Sequence, residues 1–424
     1  VTLTAAEALA LGSLDEEALV HDLVDLVRVP SITGTAAESE VQHDRAARLA
    51  ELDFAVDEWQ FDLAALEAHP LYPGREADRH EGYGVVATLG GGGVPALVLQ
   101  GHVDVVPIGD PNRWQDHDPF SGRITGGMLH GRGACDMKAG VAANLAVAKA
   151  LHTSGLTLER PFAVHSVVSE EDGGLGAFAT LLRGHGGEAA VITEPTSGRI
   201  VTANAGSLTF TVTVAGRAAH GSTRLEGQSA LDAFLPLYAA LHDLERIRNT
   251  GPDRLFDGNP LPYPISIGRI VAGDWASSVP DLLTADGRLG VQLDEEPAHA
   301  RAEFESAVAR CCAADPWLRD HPAIVTWTGG QFASGRIESG HAFIDAVSTA
   351  VSDSLGVGAP PPTAAPYGSD LRLYTQIGGI PTLHLGPGDV RFAHAPREQV
   401  RINEVIESAR ALLLLAVRRC DAHS

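Results

Sequence analysis

The chain has no run of about 18 or more apolar residues, which excludes a membrane-spanning helix on length alone. Cations are scarce: 31 Lys and Arg against 54 Asp and Glu leave a formal charge of −23. Nucleic acid and anionic membranes both demand basic patches, so neither is expected as a partner. The sign of an active site is a separate matter, because a few local residues or ions can reverse it. Cysteine is also rare. Cys135, Cys311, Cys312 and Cys420 form no Cys-x-x-Cys pair, and reduced thiols in a cytoplasmic protein are the expectation. The opening Val1-Thr-Leu-Thr-Ala lacks a basic segment followed by an apolar one, so no export signal is expected. His-Glu-x-x-His and Gly-x-Ser-x-Gly are both missing, which removes support for helical single-zinc proteases and for serine hydrolases.

What is present suits a globular enzyme of two domains, with 424 residues, 44% of them hydrophobic and 20% charged. Ser13-Leu-Asp-Glu16 has the capping-box pattern, and Leu19, Leu23, Leu26 and Val27 follow at helical spacing. Residues 96–106 read as a buried strand, 141–151 as an alanine-rich helix and 161–168 as a second strand. A helix near 175–183 and a strand at 189–192 follow. This alternation predicts an α/β fold, a mixed and mostly parallel sheet with helices on both faces.

Near residue 204 the texture changes. Leu208-Thr-Phe-Thr-Val-Thr-Val214 alternates strictly, as a strand with one wet face should. A helix at 229–248, strands at 265–271 and 284–293, and a helix at 298–313 predict an inserted α+β sandwich. The α/β texture then resumes, with a helix near 340–355, a strand near 380–385 and a terminal helix near 402–418. The expected division is 1–203 with 331–424, and 204–330 between them.

The apolar run from Leu97 ends abruptly in Gly101-His-Val-Asp104. Strand side chains repeat every second residue, so His102 and Asp104 share a face if the run is a strand. A histidine beside a carboxylate is how metal-site imidazoles are usually oriented, although a core histidine bonded to a local aspartate fits the same dipeptide. Further acidic residues and a histidine follow at the ends of successive strands: Asp136, Glu170, Glu171, Glu194 and His394. Ligands bind in the crevice beyond the carboxyl ends of such strands. So many carboxylates converging there are costly unless cations neutralise them. Two histidines with three carboxylates suit a pair of zinc-like ions, and a two-oxygen carboxylate is the group able to bridge them. Glu170 and Glu171 are adjacent and cannot face alike along an extended chain, so one can bind metal while the other carries protons.

Jointly the segments Gly101-His-Val-Asp-Val-Val-Pro107, Asp118-Pro-Phe120, Gly131-Arg-Gly-Ala-Cys-Asp-Met-Lys138, Glu170-Glu171, Thr193-Glu-Pro195, Ala219-His220, Gly368-Ser-Asp370, Gly386-Pro-Gly388 and Ala393-His394 resemble one family. It is the dinuclear zinc metallopeptidase and amidohydrolase family of acetylornithine deacetylase, succinyl-diaminopimelate desuccinylase, aminoacylase and glutamate carboxypeptidase. Tyr367-Gly-Ser-Asp-Leu-Arg372 and Gly386-Pro-Gly-Asp389 resemble the acetylornithine deacetylase-like branch most.

The resemblance implies that His102 and Glu194 hold one metal and Glu171 and His394 the other, with Asp136 bridging both. Asp104 would orient His102, and Glu170 would be general base and acid for a water shared by the ions. The insertion would be a lid and the interface of a homodimer, with His220 reaching a partner's active site and Arg288 holding a substrate carboxylate. Relatives often carry asparagine before Val-Pro in the lid, where this chain has Ser278. The implied activity is hydrolysis of an amide C–N bond in a small N-acylated amino acid or peptide, with Zn2+, Co2+ or Mn2+. A carbamoyl, aryl-amine or dipeptide substrate, and a silent binding homologue, are the alternatives.

Overall fold

A computed structural model describes residues 3–114 and 117–423; Val1 and Thr2, which open the segment considered for an export signal, lie outside the described residues. The chain forms two compact units: Val1–Ala203 with Arg336–Thr363 and Asp370–Ser424, and Asn204–Gly335 with Ala364–Ser369.

In the first unit, the strands Ala55–Gln60, Tyr83–Leu89, Phe162–Val167, Leu97–His102, Ala190–Ile192 and Thr382–His384 lie side by side in that order. The centre is parallel, with Leu97–His102 flanked in the same direction by Phe162–Val167 and Ala190–Ile192, and Thr382–His384 parallel to the latter. The outer pairs are antiparallel. Both faces are buried, and the two-residue period sorts the side chains between them. Leu97, Leu99, Phe162 and Val164 join a core with the helices Ala139–Ser154, Ala342–Leu355 and Ile402–Arg419. Val98, Ala163, Val167 and Ile192 join another with Leu175–Leu182 and Leu371–Gln376.

The start of the chain departs from expectation. The helix Glu16–Arg28 is capped by Asp15, whose side chain accepts from Ala18 N at 2.9 Å. Ser13 instead closes an earlier helix, Ala5–Gly12, and that helix owns the capping box, made by Thr4 and Glu7. Strand pairing also stops at His102 rather than 106, because the chain leaves the sheet and Val105 pairs with Ile32. Asp104 therefore sits beyond the strand end.

The second unit is a four-stranded antiparallel sheet in the order Ile265–Ala272, Leu282–Val291, Gly206–Ala215, Ile324–Phe332. Leu208, Phe210, Val212 and Val214 point inward against the helices Ala230–Arg248 and Pro297–Ala314. Ile324–Phe332 runs through residue 331 and pairs with Gly206–Ala215, which is why this unit continues to Gly335.

Candidate metal centre

The loops leaving the parallel strands carry Asp104, Glu170, Glu171, Glu194 and His394, whereas Asp136 comes from the turn Ala134–Lys138, after the strand Met128–His130 of a separate three-stranded sheet. His102 closes its strand fully buried. Its Nδ1 lies 3.0 Å from the backbone carbonyl of Asp104 and 3.5 Å from Asp104 Oδ1. The main-chain oxygen is thus the nearer anchor of the ring. The Asp104 carboxylate accepts from Thr33 Oγ1 at 2.9 Å and from the amides of Glu170 and Glu171, each at 3.2 Å. Asp104 therefore meets the His102 ring chiefly through its backbone oxygen, while its buried carboxylate pins the Glu-Glu pair.

On the other side of the ring, His102 Nε2 is buried with no hydrogen-bond partner. Around it lie Asp136 Oδ1 at 3.4 Å, Glu194 Oε1 at 3.9 Å and Glu170 Oε2 at 4.0 Å. Asp136 turns its second oxygen to His394 Nε2 at 3.5 Å, and Glu171 Oε2 reaches the same nitrogen at 3.0 Å. Of the adjacent pair, only Glu171 comes within 3.0 Å of His394, while both glutamates come near His102. His102, Glu170 and Glu194 could hold one cation, as could His102, Asp136 and Glu171.

The electrostatics favour cations. Burial pushes the Glu170 carboxyl well above its usual range, and Glu194 and Asp370 add to the effect. Burial does the same to Glu194, with Asp136 next in importance. Glu171 is the main cause that raises His394 to about 11. Burial opposes charge on His102, yet the carboxylates of Asp104, Asp136 and Glu194 around it hold its pKa well above the ordinary value. Without metal, protons must therefore gather where the carboxylates crowd, and a divalent cation relieves the same repulsion. The orphaned His102 nitrogen and the two-sided Asp136 fit a pair of ions with nitrogen and oxygen ligands.

Close packing fixes these loops. A Cβ at Gly140 would come within 2.1 Å of Thr193 O, so only glycine lets the helix Ala139–Ser154 press against the residue before Glu194. Sequence reasoning missed several supports: Glu38 accepts from Ser169 N at 3.2 Å and pairs with buried Arg79, and Gln100 Nε2 donates to Asp370 at 2.9 Å. Glu38 and Arg79 stand in no recognisable motif; Asp370 was inside a matched segment but had no role.

His220 and Arg288 belong to the second unit. His220 is exposed, its Nδ1 is 2.7 Å from Ser222 Oγ, and its backbone bridges to Ser278. The two lid positions singled out from the sequence are therefore direct neighbours. Arg288 is exposed on the strand Leu282–Val291, opposite Thr209 and Ser266.

The sequence profile of peptidase family M20/M25/M40 matches residues 98–418. An N-formyl-4-amino-5-aminomethyl-2-methylpyrimidine deformylase of Halalkalibacterium halodurans is 28% identical over 349 residues, which is 77% of this chain and 79% of that protein. An acetylornithine deacetylase of Erwinia tasmaniensis is 26% identical over 389 residues, 88% of this chain and 90% of that one. Among solved structures, human carnosine dipeptidase 1 has a similar fold, with a TM-score of 0.78 at 14% identity over 99% of this chain and 100% of its own.

Proposed function

This chain belongs to peptidase family M20/M25/M40, and from that premise we propose that it hydrolyses the amide bond of a small N-acylated amino acid or peptide with two divalent cations. His102 and Glu194 would hold one ion and His394 and Glu171 the other, with Asp136 between them. The observation that carries this reading is Asp136 standing 3.4 Å from one histidine and 3.5 Å from the other through different oxygens. Zinc suits such donors, and cobalt or manganese would be accepted by the same set. Bound there, the ions would polarise a carbonyl oxygen and acidify water.

Glu170 is the proton carrier. Its carboxyl stands 4.0 Å from His102 Nε2 at the site; with cations bound beside it to hold it ionised, it would take a proton from attacking water and deliver it to the leaving nitrogen. Delivery matters because an amide nitrogen leaves poorly unless protonated. Asp104 holds the amides of residues 170 and 171 and the His102 ring while this happens.

The second unit would act as lid and homodimer interface, with His220 and Arg288 reaching substrate. Its outermost strand, Ile265–Ala272, leaves Ile270 and Val271 about half exposed, and Leu231, Leu235 and Tyr238 form an exposed stripe on the helix Ala230–Arg248. Uncovered apolar surface of this kind supports a second copy as its cover. Four free cysteines fit a cytoplasmic location.

A second reading, an amide on a substrate that is not an amino acid, is favoured by the deformylase relative. Zinc- and cobalt-loaded protein should be screened against acetylornithine, succinyl-diaminopimelate, other acylated amino acids and a formylated aminomethylpyrimidine. Turnover of acylated amino acids alone supports the first reading. Turnover of the pyrimidine alone replaces it with the second. No turnover of any amide by protein carrying two ions overturns both.

A further inference from the structure

We infer that Glu398 is a positioning residue for the metal centre: anchored by Arg132, its carboxylate fixes the Cys135–Asp136 backbone so that the Asp136 side chain stands between His102 and His394. The inference rests on the two-cation reading above. Glu398 is 1% exposed and Arg132 2%, and the two are ion-paired. Oε1 of Glu398 accepts the amides of Cys135 and Asp136, each at 3.1 Å. Arg132 is itself held, by the Pro107 carbonyl at 3.2 Å and by the Trp114 ring 4.9 Å away.

Asp136 needs such a hold. Its backbone (φ −117°, ψ 100°) breaks out of the helical turn Ala134–Lys138. An interrupted turn leaves amides without intrahelical acceptors, and buried amides without partners are costly. Remove the acceptor, and both amides lose their buried partner, so the segment must shift to find another and carries the Asp136 carboxylate out of place between the histidines. The clamp also ties the two halves of the centre together. Glu398 follows His394 by four residues, and the strand it opens, Gln399–Arg401, pairs antiparallel with Met128–His130, just ahead of Arg132. Glu398 O further accepts Gly131 N at 3.1 Å. One short segment therefore supplies a candidate ligand of one ion and sets the residue shared by both.

The test is stepwise Zn2+ and Co2+ binding by chelator competition on wild type, Glu398→Gln, Glu398→Ala and Arg132→Gln, with folding checked by circular dichroism. Glu7→Gln, which disturbs a remote ion pair with Arg418, serves as a control for general destabilisation. Loss of an outer-shell partner typically lowers metal affinity ~10–100-fold. That fall is expected in at least one step for Glu398→Ala, a smaller fall for Glu398→Gln, which keeps an acceptor oxygen, and none for Glu7→Gln. Two ions in wild type with affinities unchanged within about twofold in every folded variant overturn the inference alone. Failure of all three Arg132 and Glu398 variants to fold assigns the pair to the fold and overturns it too. A wild type that takes up no ions sinks the two-cation reading, and the inference with it.

Discussion

Glu170→Gln is the sharpest perturbation of the proposed chemistry, because it removes a proton carrier and almost nothing else. The side chain keeps its shape, and the amides of residues 170 and 171 still donate to Asp104 at 3.2 Å. A positioned general acid–base is worth ~10²–10⁴ in rate. At ~1.4 kcal/mol per decade, that is about 3–6 kcal/mol of lost transition-state stabilisation. Because Glu170 acts on protons rather than holding substrate, the loss should fall on kcat, with KM within about threefold. The competing assignment is equally concrete. Glu170 Oε2 and Glu194 Oε1 lie at nearly the same distance from His102 Nε2, 4.0 and 3.9 Å. If Glu170 were the ligand and Glu194 the base, Glu170→Gln would lose an ion and Glu194→Gln would keep both. Steady-state kinetics and metal counting on the two variants, each purified with excess zinc, decide between the assignments. Two ions and a slow Glu170→Gln enzyme, beside a Glu194→Gln enzyme short of one ion, support Glu170 as the base and Glu194 as the ligand. A rate loss under tenfold in Glu170→Gln, or an ion missing from it, refutes that assignment.

Other consequences reach beyond the centre. Burial lowers His384 from 6.5 to about 3, so the unfolded chain takes its proton first and the stability this residue contributes, complete above pH 6.5, is lost as pH falls towards 3. In urea titrations between pH 6 and 4, His384→Gln should therefore have a slope of stability against pH smaller than wild type by up to ~1.4 kcal/mol per pH unit; an equal or steeper slope contradicts this. Phe210 is fully buried 4.5 Å from the Phe304 ring, so Phe210→Ala should cost ~3–5 kcal/mol in the transition of the second unit, and a cost under about 1 kcal/mol would deny that core. Gly140→Ala should disturb the loop bearing Glu194 and weaken metal binding, since its methyl group would meet Thr193 O at 2.1 Å; unchanged affinity would mean that the helix shifts freely. Chelation should lower the melting temperature and added zinc restore it, each ion adding ~2.7 kcal/mol of stability at one hundred times its Kd, whereas a melting curve blind to zinc would argue against ions in this crevice.

Which residues could be read from the sequence follows from how each one acts. In the proposed reading His102, Asp136, Glu170, Glu171, Glu194 and His394 would act through their own side-chain atoms, and that chemistry limits each place to one or two residue types. His102, Glu170 and Glu194 also stand at or just beyond the ends of buried apolar runs, where a charged group has no structural excuse, so the sequence exposes them. The sheet was legible for the same reason: Leu97 to Leu99 and Phe162 to Val164 must be apolar on both faces. The helices Ala5–Gly12 and Ala36–Ala50 and the edge strands were not, although the apolar period of Glu16–Arg28 was. Ala36–Ala50 buries Glu38, Gln42 and Arg45 along with its apolar residues, and that blurs the apolar period a helix is recognised by. The same cause hides the supports of the site. Glu38 and Glu398 act on backbone amides, which carry no sequence signal, and the arginines that hold them, Arg79 and Arg132, stand at no recognisable spacing. Their amide partners lie 131 and 263 positions away along the chain, and only folding reveals why a carboxylate is needed there. Residues that touch the reaction are thus set by chemistry and visible in order, whereas residues that hold them are set by topology. The polar core of such a centre is specified as tightly as its ligands, because every buried amide in the loops between them must find its acceptor.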